Sequence, residues 1–167
     1  AANKTHNGWI IFYKANDITK PVTAPLAIGA LPDNVVFSPD GKQIAFVSNT
    51  TADPDRNINS DIFVMESKPK ATPKQLTKWP GTDDSPVWSP DSKTIAYLSS
   101  ASETYTAYQE QYLTVIDASG VGTPKYLSKT LDRPVSNIKF TKDGTQIAVL
   151  ISDDRERYIG QFNMATG

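Results

Sequence analysis

Side chains able to do chemistry are sparse in this chain, and they lie in its polar stretches. Arg56, Arg133 and Arg155 sit in segments rich in Asp, Asn, Ser and Thr, and Tyr105 sits in another. A guanidinium presents a planar fork of N–H donors that matches a carboxylate. These four residues are therefore the candidates for contact with a substrate or a partner domain, with ordinary surface ion pairing as the plainer reading of the arginines. Acidic residues gather in the same places: Asp53, Asp55 and Asp61 flank one stretch, Asp83-Asp84 lie in a second, and Asp153-Asp154 precede Arg155-Glu156-Arg157. Calcium needs several oxygens converging in one fixed loop, and none of these stretches has the required central glycine and terminal glutamate. They read as turn and capping aspartates on a solvated face.

Catalytic sets are missing. His6 is the single histidine and the chain has no cysteine, so neither a Ser-His-Asp triad within the repeats nor a thiolate or multi-histidine metal site is expected. No Gly-x-Ser-x-Gly elbow and no glycine-rich phosphate loop occurs. The expectation is no catalytic residue, no metal and no cofactor. Seventeen basic and 18 acidic residues leave a net charge of −1, which offers nothing to nucleic acid or to an anionic membrane. No apolar run is long enough to span a bilayer. Asn3-Lys4-Thr5 and Asn49-Thr50-Thr51 fit the glycosylation triplet, which matters only in a eukaryotic secretory setting.

The elements that position these residues come from a repeat. FSPDGKQIAF from Phe37 to Phe46 returns as WSPDSKTIAY from Trp88 to Tyr97 and as FTKDGTQIAV from Phe140 to Val149, offsets of 51 and 52 residues. Such a period marks an array of supersecondary units, none of which buries its apolar face alone. In Ser38-Pro39-Asp40-Gly41 the proline presets a type I turn and the glycine can take the left-handed conformation that follows, giving a hairpin with a glycine bulge. Ser92 takes the glycine's place in the second copy, at a cost of about 1 kcal/mol if φ is positive there. A third strand is expected at Asp61 to Glu66, Tyr112 to Asp117 and Tyr158 to Asn163, and a fourth at Pro73 to Thr77 and Pro124 to Ser128. Four short antiparallel strands per unit describe one blade of a β-propeller. The unbroken apolar runs at Ile44 to Val47, Ile95 to Leu98 and Ile147 to Leu150 predict second strands buried on both faces. Phe37, Trp88 and Phe140 are expected to fill the space between blades.

The fold class is thus all-β, a partial propeller of four-stranded antiparallel blades. Residues 1–33 are read as the second half of a preceding blade, with third and fourth strands at Trp9 to Tyr13 and Pro21 to Ile28. Complete blades occupy 34–84 and 85–135, and an incomplete one 136–167. Propellers close with about four to eight blades, so the expectation is a piece of a larger ring whose exposed edges offer a route to oligomers. Alternating connections put the longer loops, 49–60, 78–85, 100–109, 129–136 and 152–157, on one rim, where recognition is expected.

Trp88-Ser89-Pro90-Asp91, Ile95-Ala96-Tyr97 and the preceding Lys74-Gln75-Leu76-Thr77 resemble the repeat shared by TolB-type propellers and the amino-terminal propeller of prolyl oligopeptidase family serine peptidases. Asp83 to Trp88, Leu131 to Ser136 and Ser152 to Asp154 are similar to the joints between blades in the acylaminoacyl-peptidase and dipeptidyl-peptidase branch. The resemblance covers residues 34 to 167 well and the first thirty poorly. It implies a non-catalytic domain that covers an α/β-hydrolase domain, gates entry and helps hold short peptides. Its partners would be that carboxy-terminal domain, the remaining blades and short peptides. The nucleophile, acid and histidine would all lie outside this chain. A periplasmic or secreted location is favoured over a cytoplasmic one. Two other readings stand beside it: a TolB-like interaction scaffold, and a sugar-active lyase, which would need histidine ligands the repeats lack.

Overall fold

In the computed structural model, residues 33–54, 56–102 and 110–167 are described in full, preceded by the backbone of 9–10, 13–14, 17–21 and 26–27. That backbone forms β1 (Trp9–Ile10), β2 (Tyr13–Lys14), β3 (Asp17–Pro21) and β4 (Leu26–Ala27). β1 pairs antiparallel with β4, and β2 with β3.

Each repeat turns on one hydroxyl and one carboxylate. The turn between β5 (Asp33–Phe37) and β6 (Gln43–Ser48) has Ser38 Oγ donating to Asp40 Oδ1 at 2.7 Å and accepting from the Gln43 amide at 2.9 Å. Asp40 Oδ1 in turn accepts from the Lys42 amide at 3.0 Å. The same bonds recur at Ser89 and Asp91, between β9 (Asp83–Trp88) and β10 (Thr94–Ser100). They recur again at Thr141 and Asp143, between β13 (Val135–Phe140) and β14 (Gln146–Asp153). The hydroxyl, then the backbone amide, holds each of the three carboxyls below the ordinary carboxylate range. The bulge residue is left-handed in all three, with φ of 71° at Gly41, 61° at Ser92 and 72° at Gly144. Proline is dispensable because the turn is held by this hydroxyl and carboxylate network, which explains how Thr141-Lys142 keeps the geometry.

β5 and β6 continue through β7 (Asp61–Glu66) to β8 (Lys74–Gln75) in one antiparallel sheet. β9 and β10 continue through β11 (Gln111–Asp117) to β12 (Lys125–Tyr126), and β13 and β14 end in β15 (Glu156–Asn163). Each sheet is one blade. The first strands β5, β9 and β13 neighbour one another, so they form the inner wall, and no helix occurs among the described residues. The fourth strands are shorter than expected because a side chain takes over their ladder. Thr77 Oγ1 accepts from the Ile62 amide at 3.0 Å, and Ser128 Oγ from the Leu113 amide at 2.8 Å.

The core lies between blades. Ile44 to Ser48 in β6 and Ile95 to Ser100 in β10 are buried throughout, as the apolar runs require. β14 departs from expectation: Ile147 and Val149 are buried while Ala148 and Leu150 are half-buried, because no described blade stacks on that side. Trp88 is 6% exposed and donates its indole N–H to the Val36 carbonyl at 3.3 Å, tying the second blade to the first. Phe140 is half-buried, and Phe37, expected between blades, is 62% exposed. It ends the inner strand of the first blade, which no described blade precedes. Two lysines at equivalent places reach across the junctions: Lys74 Nζ donates to the Ser119 carbonyl, and Lys125 Nζ to those of Met164 and Ala165.

Candidate functional site

The inner strands share a defect at one repeat position. Pairing with the second strand slips between Asp33 and Val36, between Ser136 and Lys139, and opposite Ala96 to Leu98 in the second blade. The residue responsible is left-handed in each case: Asn34 (φ 49°), Ser85 (φ 54°) and Asn137 (φ 54°). Each stands three residues before Phe37, Trp88 or Phe140. A bulge inserts one extra residue and increases the local twist, and asparagine tolerates the left-handed region better than most residues. The two asparagines at equivalent places were the sequence signal for this feature. All three bulge residues line a cleft of about 630 Å³ whose remaining wall is largely apolar, including Val36, Val87, Ile138, Leu150 and Ile159. Concave apolar surface with a few fixed polar groups is what small-molecule and peptide sites are made of.

On the long-loop rim a smaller cleft of about 360 Å³ lies among Asp33, Ser48, Asn49, Ser60, Thr82 and Asp84. Its walls are tied across blades. Ser60 and Thr82 form a parallel bridge, the Asp83 amide donates to the Ser60 carbonyl at 2.8 Å, and the Ser100 amide donates to the Thr82 carbonyl at 2.8 Å. A Cβ on Gly81 would lie 2.1 Å from Ser100 Oγ and 2.7 Å from the Ser102 carbonyl, so the turn closes this tightly only with glycine. Asn49, of the second glycosylation triplet, is built into its own loop, accepting from the Thr51 amide at 3.0 Å and donating to the Asn57 carbonyl.

Two acidic residues contradict the reading of solvated turn aspartates. Asp61 is 4% exposed at the start of β7, and Asp83 is fully buried at the start of β9. Asp61 accepts from Gln75 Nε2 at 2.9 Å and from Thr77 Oγ1 at 3.3 Å. Neither carboxylate oxygen of Asp83 has a hydrogen-bond partner. Burial pushes Asp83 up to about 6, with the nearby Ser99 and Thr77 hydroxyls drawing it partly back, and burial likewise pushes Asp61 up to about 6. Asp53, Asp84, Asp153 and Asp154 stay at least partly exposed.

The sequence candidates are dispersed along the rim. Arg56 lies in the loop between β6 and β7 and pairs with Asp53 at 3.7 Å, largely in solvent. Arg133 precedes β13 and donates from Nε to Asp153 Oδ1 at 2.7 Å, with Asp132 at 3.6 Å from Nη1. Arg155 occupies the turn between β14 and β15, beside Asp153, Asp154 and Tyr158 in a shallow surface groove. Arg133 is thus paired with Asp153, which shares that groove with Arg155, while Arg56 lies apart on the first blade. Tyr105, His6 and Asp55 lie outside the described residues. No group of three or more acidic, histidine or cysteine residues able to hold a metal ion exists among the described residues.

Three stacked antiparallel sheets with inner first strands define a partial β-propeller. In fold the chain is similar to a protein named TolB from Agrobacterium tumefaciens, with TM-score 0.62 and 18% identity over 89% of this chain and 52% of that one. The tricorn protease matches with TM-score 0.59 and 16% identity, over 81% of this chain and 13% of that one. No protein-family model matches. In sequence the chain is 34% identical over 126 residues to a dipeptidyl-peptidase 5 of Arthroderma otae, covering 68% of this chain and 17% of that protein. It is 30% identical over 162 residues to the dipeptidyl-peptidase 5 of Aspergillus oryzae, and 27% over 150 residues to that of Porphyromonas gingivalis. The chain spans about a fifth of the length of the curated relatives it matches, 17% to 22%. In fold the chain is a TolB-like propeller, and in sequence it is similar to part of dipeptidyl-peptidase 5.

Proposed function

We propose that this chain is the non-catalytic propeller portion of a serine peptidase of the prolyl oligopeptidase family, gating entry and helping to hold short peptides. The observation that supports it most is the match to dipeptidyl-peptidase 5 over 68% of this chain but 17% of the relative. That proportion leaves ample length in such a protein for further blades and for a separate α/β-hydrolase domain. The chemistry agrees: residues 33–167 contain no histidine and no cysteine, so a hydrolytic triad must be completed elsewhere. A rigid stack of blades can still select by size and hold a peptide in its axial cleft without supplying a reactive group. On this reading Arg56, Tyr105, Arg133 and Arg155 are the rim contacts for peptide carboxylates or for the hydrolase domain.

The test is a peptidase assay on the longest natural polypeptide that carries this chain, beside the isolated chain. Chromogenic dipeptidyl and acyl-aminoacyl substrates and a long unfolded protein are offered to both. The expected result is cleavage of the short substrates alone by the long polypeptide, abolished by a serine-directed reagent, with the isolated chain inert. Absence of activity on every substrate would sink the peptidase reading in favour of an interaction scaffold, which the likeness to the TolB-named protein supports.

A further inference from the structure

Asp61 and Asp83 meet where the first and second blades join. Thr77, just past the fourth strand of the first blade, donates its hydroxyl to Asp61 and is near enough to Asp83 to offset part of its burial. Gln75 from β8 supplies the other donor to Asp61. The remaining titratable groups facing the pair are Asp84 on β9 and the Tyr97 phenol on β10, whose own ionisation is pushed up by burial and by the two carboxylates. Among the described residues no lysine or arginine contributes to the charge around either carboxyl. Two buried negative charges with no cation between them repel each other, and Asp83 has hydroxyls nearby but no donor in hydrogen-bonding geometry.

The backbone of Asp83 is also what holds the rim. Its amide donates to the Ser60 carbonyl at 2.8 Å, its carbonyl accepts from Ser60 Oγ at 3.4 Å, and the adjoining Thr82 donates its hydroxyl to the Ile58 carbonyl at 3.3 Å. Any displacement of Asp83 is therefore transmitted to the loops that wall the rim cleft.

We infer that this junction is a proton-operated clasp: with protons bound at Asp61 and Asp83 the first two blades and their rim loops are held together, and loss of those protons loosens them. Both carboxyls hold their proton up to about 6 in the folded chain, against 3.8 for an ordinary aspartate. The stabilisation is complete below 3.8, declines as pH rises through 6, and is gone above it. A shift of about two units corresponds to about a hundredfold in the opening equilibrium for each carboxyl. The second junction has Tyr112 and Val135 at the equivalent places and provides an internal control. The clasp is independent of the peptidase reading.

Hydrogen exchange tests it, on the whole protein, corrected for the intrinsic rate, between about pH 4.5 and about pH 7.5. The amides of Leu76, Asp83 and Ser100 are expected to lose about thirtyfold in protection per carboxyl across that range, about a thousandfold for the two together, while those of Leu127 and Ser152 at the second junction stay level. Asp83→Asn should lose only the share that Asp61 contributes, about thirtyfold. Protection that is level in the native protein, or an Asp83→Asn slope equal to the native one, overturns the clasp. If that variant does not fold, carboxyl carbon shifts of the native protein decide: titration of both aspartates in the ordinary carboxylate range overturns it, and titration near 6 in step with the loss of protection supports it.

Discussion

The two junctions between blades are built on one plan and filled with opposite chemistry. At the first, Gln75 donates to Asp61 at 2.9 Å; at the second, the equivalent Tyr126 and Tyr112 meet edge to face at 6.0 Å between ring centroids. Asp83 opposite Ser99 becomes Val135 opposite Ile151. Thr77 becomes Ser128, which keeps the hydroxyl because both must take an amide from the third strand. The apolar parts are alike: Val47, Ile62 and Val64 meet Trp88, Ile95 and Tyr97 in one core cluster, and Leu98, Leu113 and Val115 meet Ile138, Ile147 and Val149 in the next. Blade stacking therefore rests on the apolar positions, and the polar corner is free to vary. In the first junction it has become a titrating pair.

Removing the apolar part should break either junction outright. Trp88→Ala takes away the side chain that ties the blades and leaves a large cavity, with an expected loss of about 4 kcal/mol, read from the shift in denaturant midpoint. Importing the polar corner should convert the second junction into the first. Val135→Asp buries a carboxylate with no partner and should cost about 3 kcal/mol near neutrality and clearly less in acid, a pH dependence that thermal melts at both conditions would reveal. If the loss is the same at both, the buried corner does not govern titration. A smaller effect lies in the turns, where the second blade alone carries a left-handed serine. Ser92→Gly relieves the left-handed conformation but gives up the hydroxyl that accepts the Asp40 amide at 3.2 Å, so it should raise stability by less than about 1 kcal/mol, visible as a slightly higher Tm, whereas glycine substitutions elsewhere in that turn should lower it. Smallest is the rim pair Arg133 and Asp153, half in solvent. Arg133→Ala should cost less than about 1 kcal/mol, and the difference should shrink in high salt.

Much of this was legible in the residues because it is local. The hydroxyl, the aspartate and the left-handed position of each turn lie within four consecutive residues, so spacing alone locates three hairpins, and the apolar runs beside them mark strands that must be covered. The bulges were less legible, since Asn34 and Asn137 hint at a left-handed residue while Ser85 does not. The rim arginines were located by composition and surface pairing was the plainer reading of them, but the partners, Asp53 for Arg56 and Asp153 for Arg133, were set by the fold.

What the sequence by itself determined is the unit: its turns, its strand order and its period of about fifty residues, all set by contacts between near neighbours. Only the tertiary structure decided which units are covered and which aspartates are buried. Phe37 and Trp88 have the same place in the repeat, yet one is 62% exposed and the other 6%, because coverage depends on whether another blade lies alongside. Asp83 and Asp84 are adjacent, yet one is fully buried while the other reaches Gln111 at the rim, because successive side chains of a strand point to opposite faces. Those differences come from stacking one sheet on the next, and no local pattern carries them.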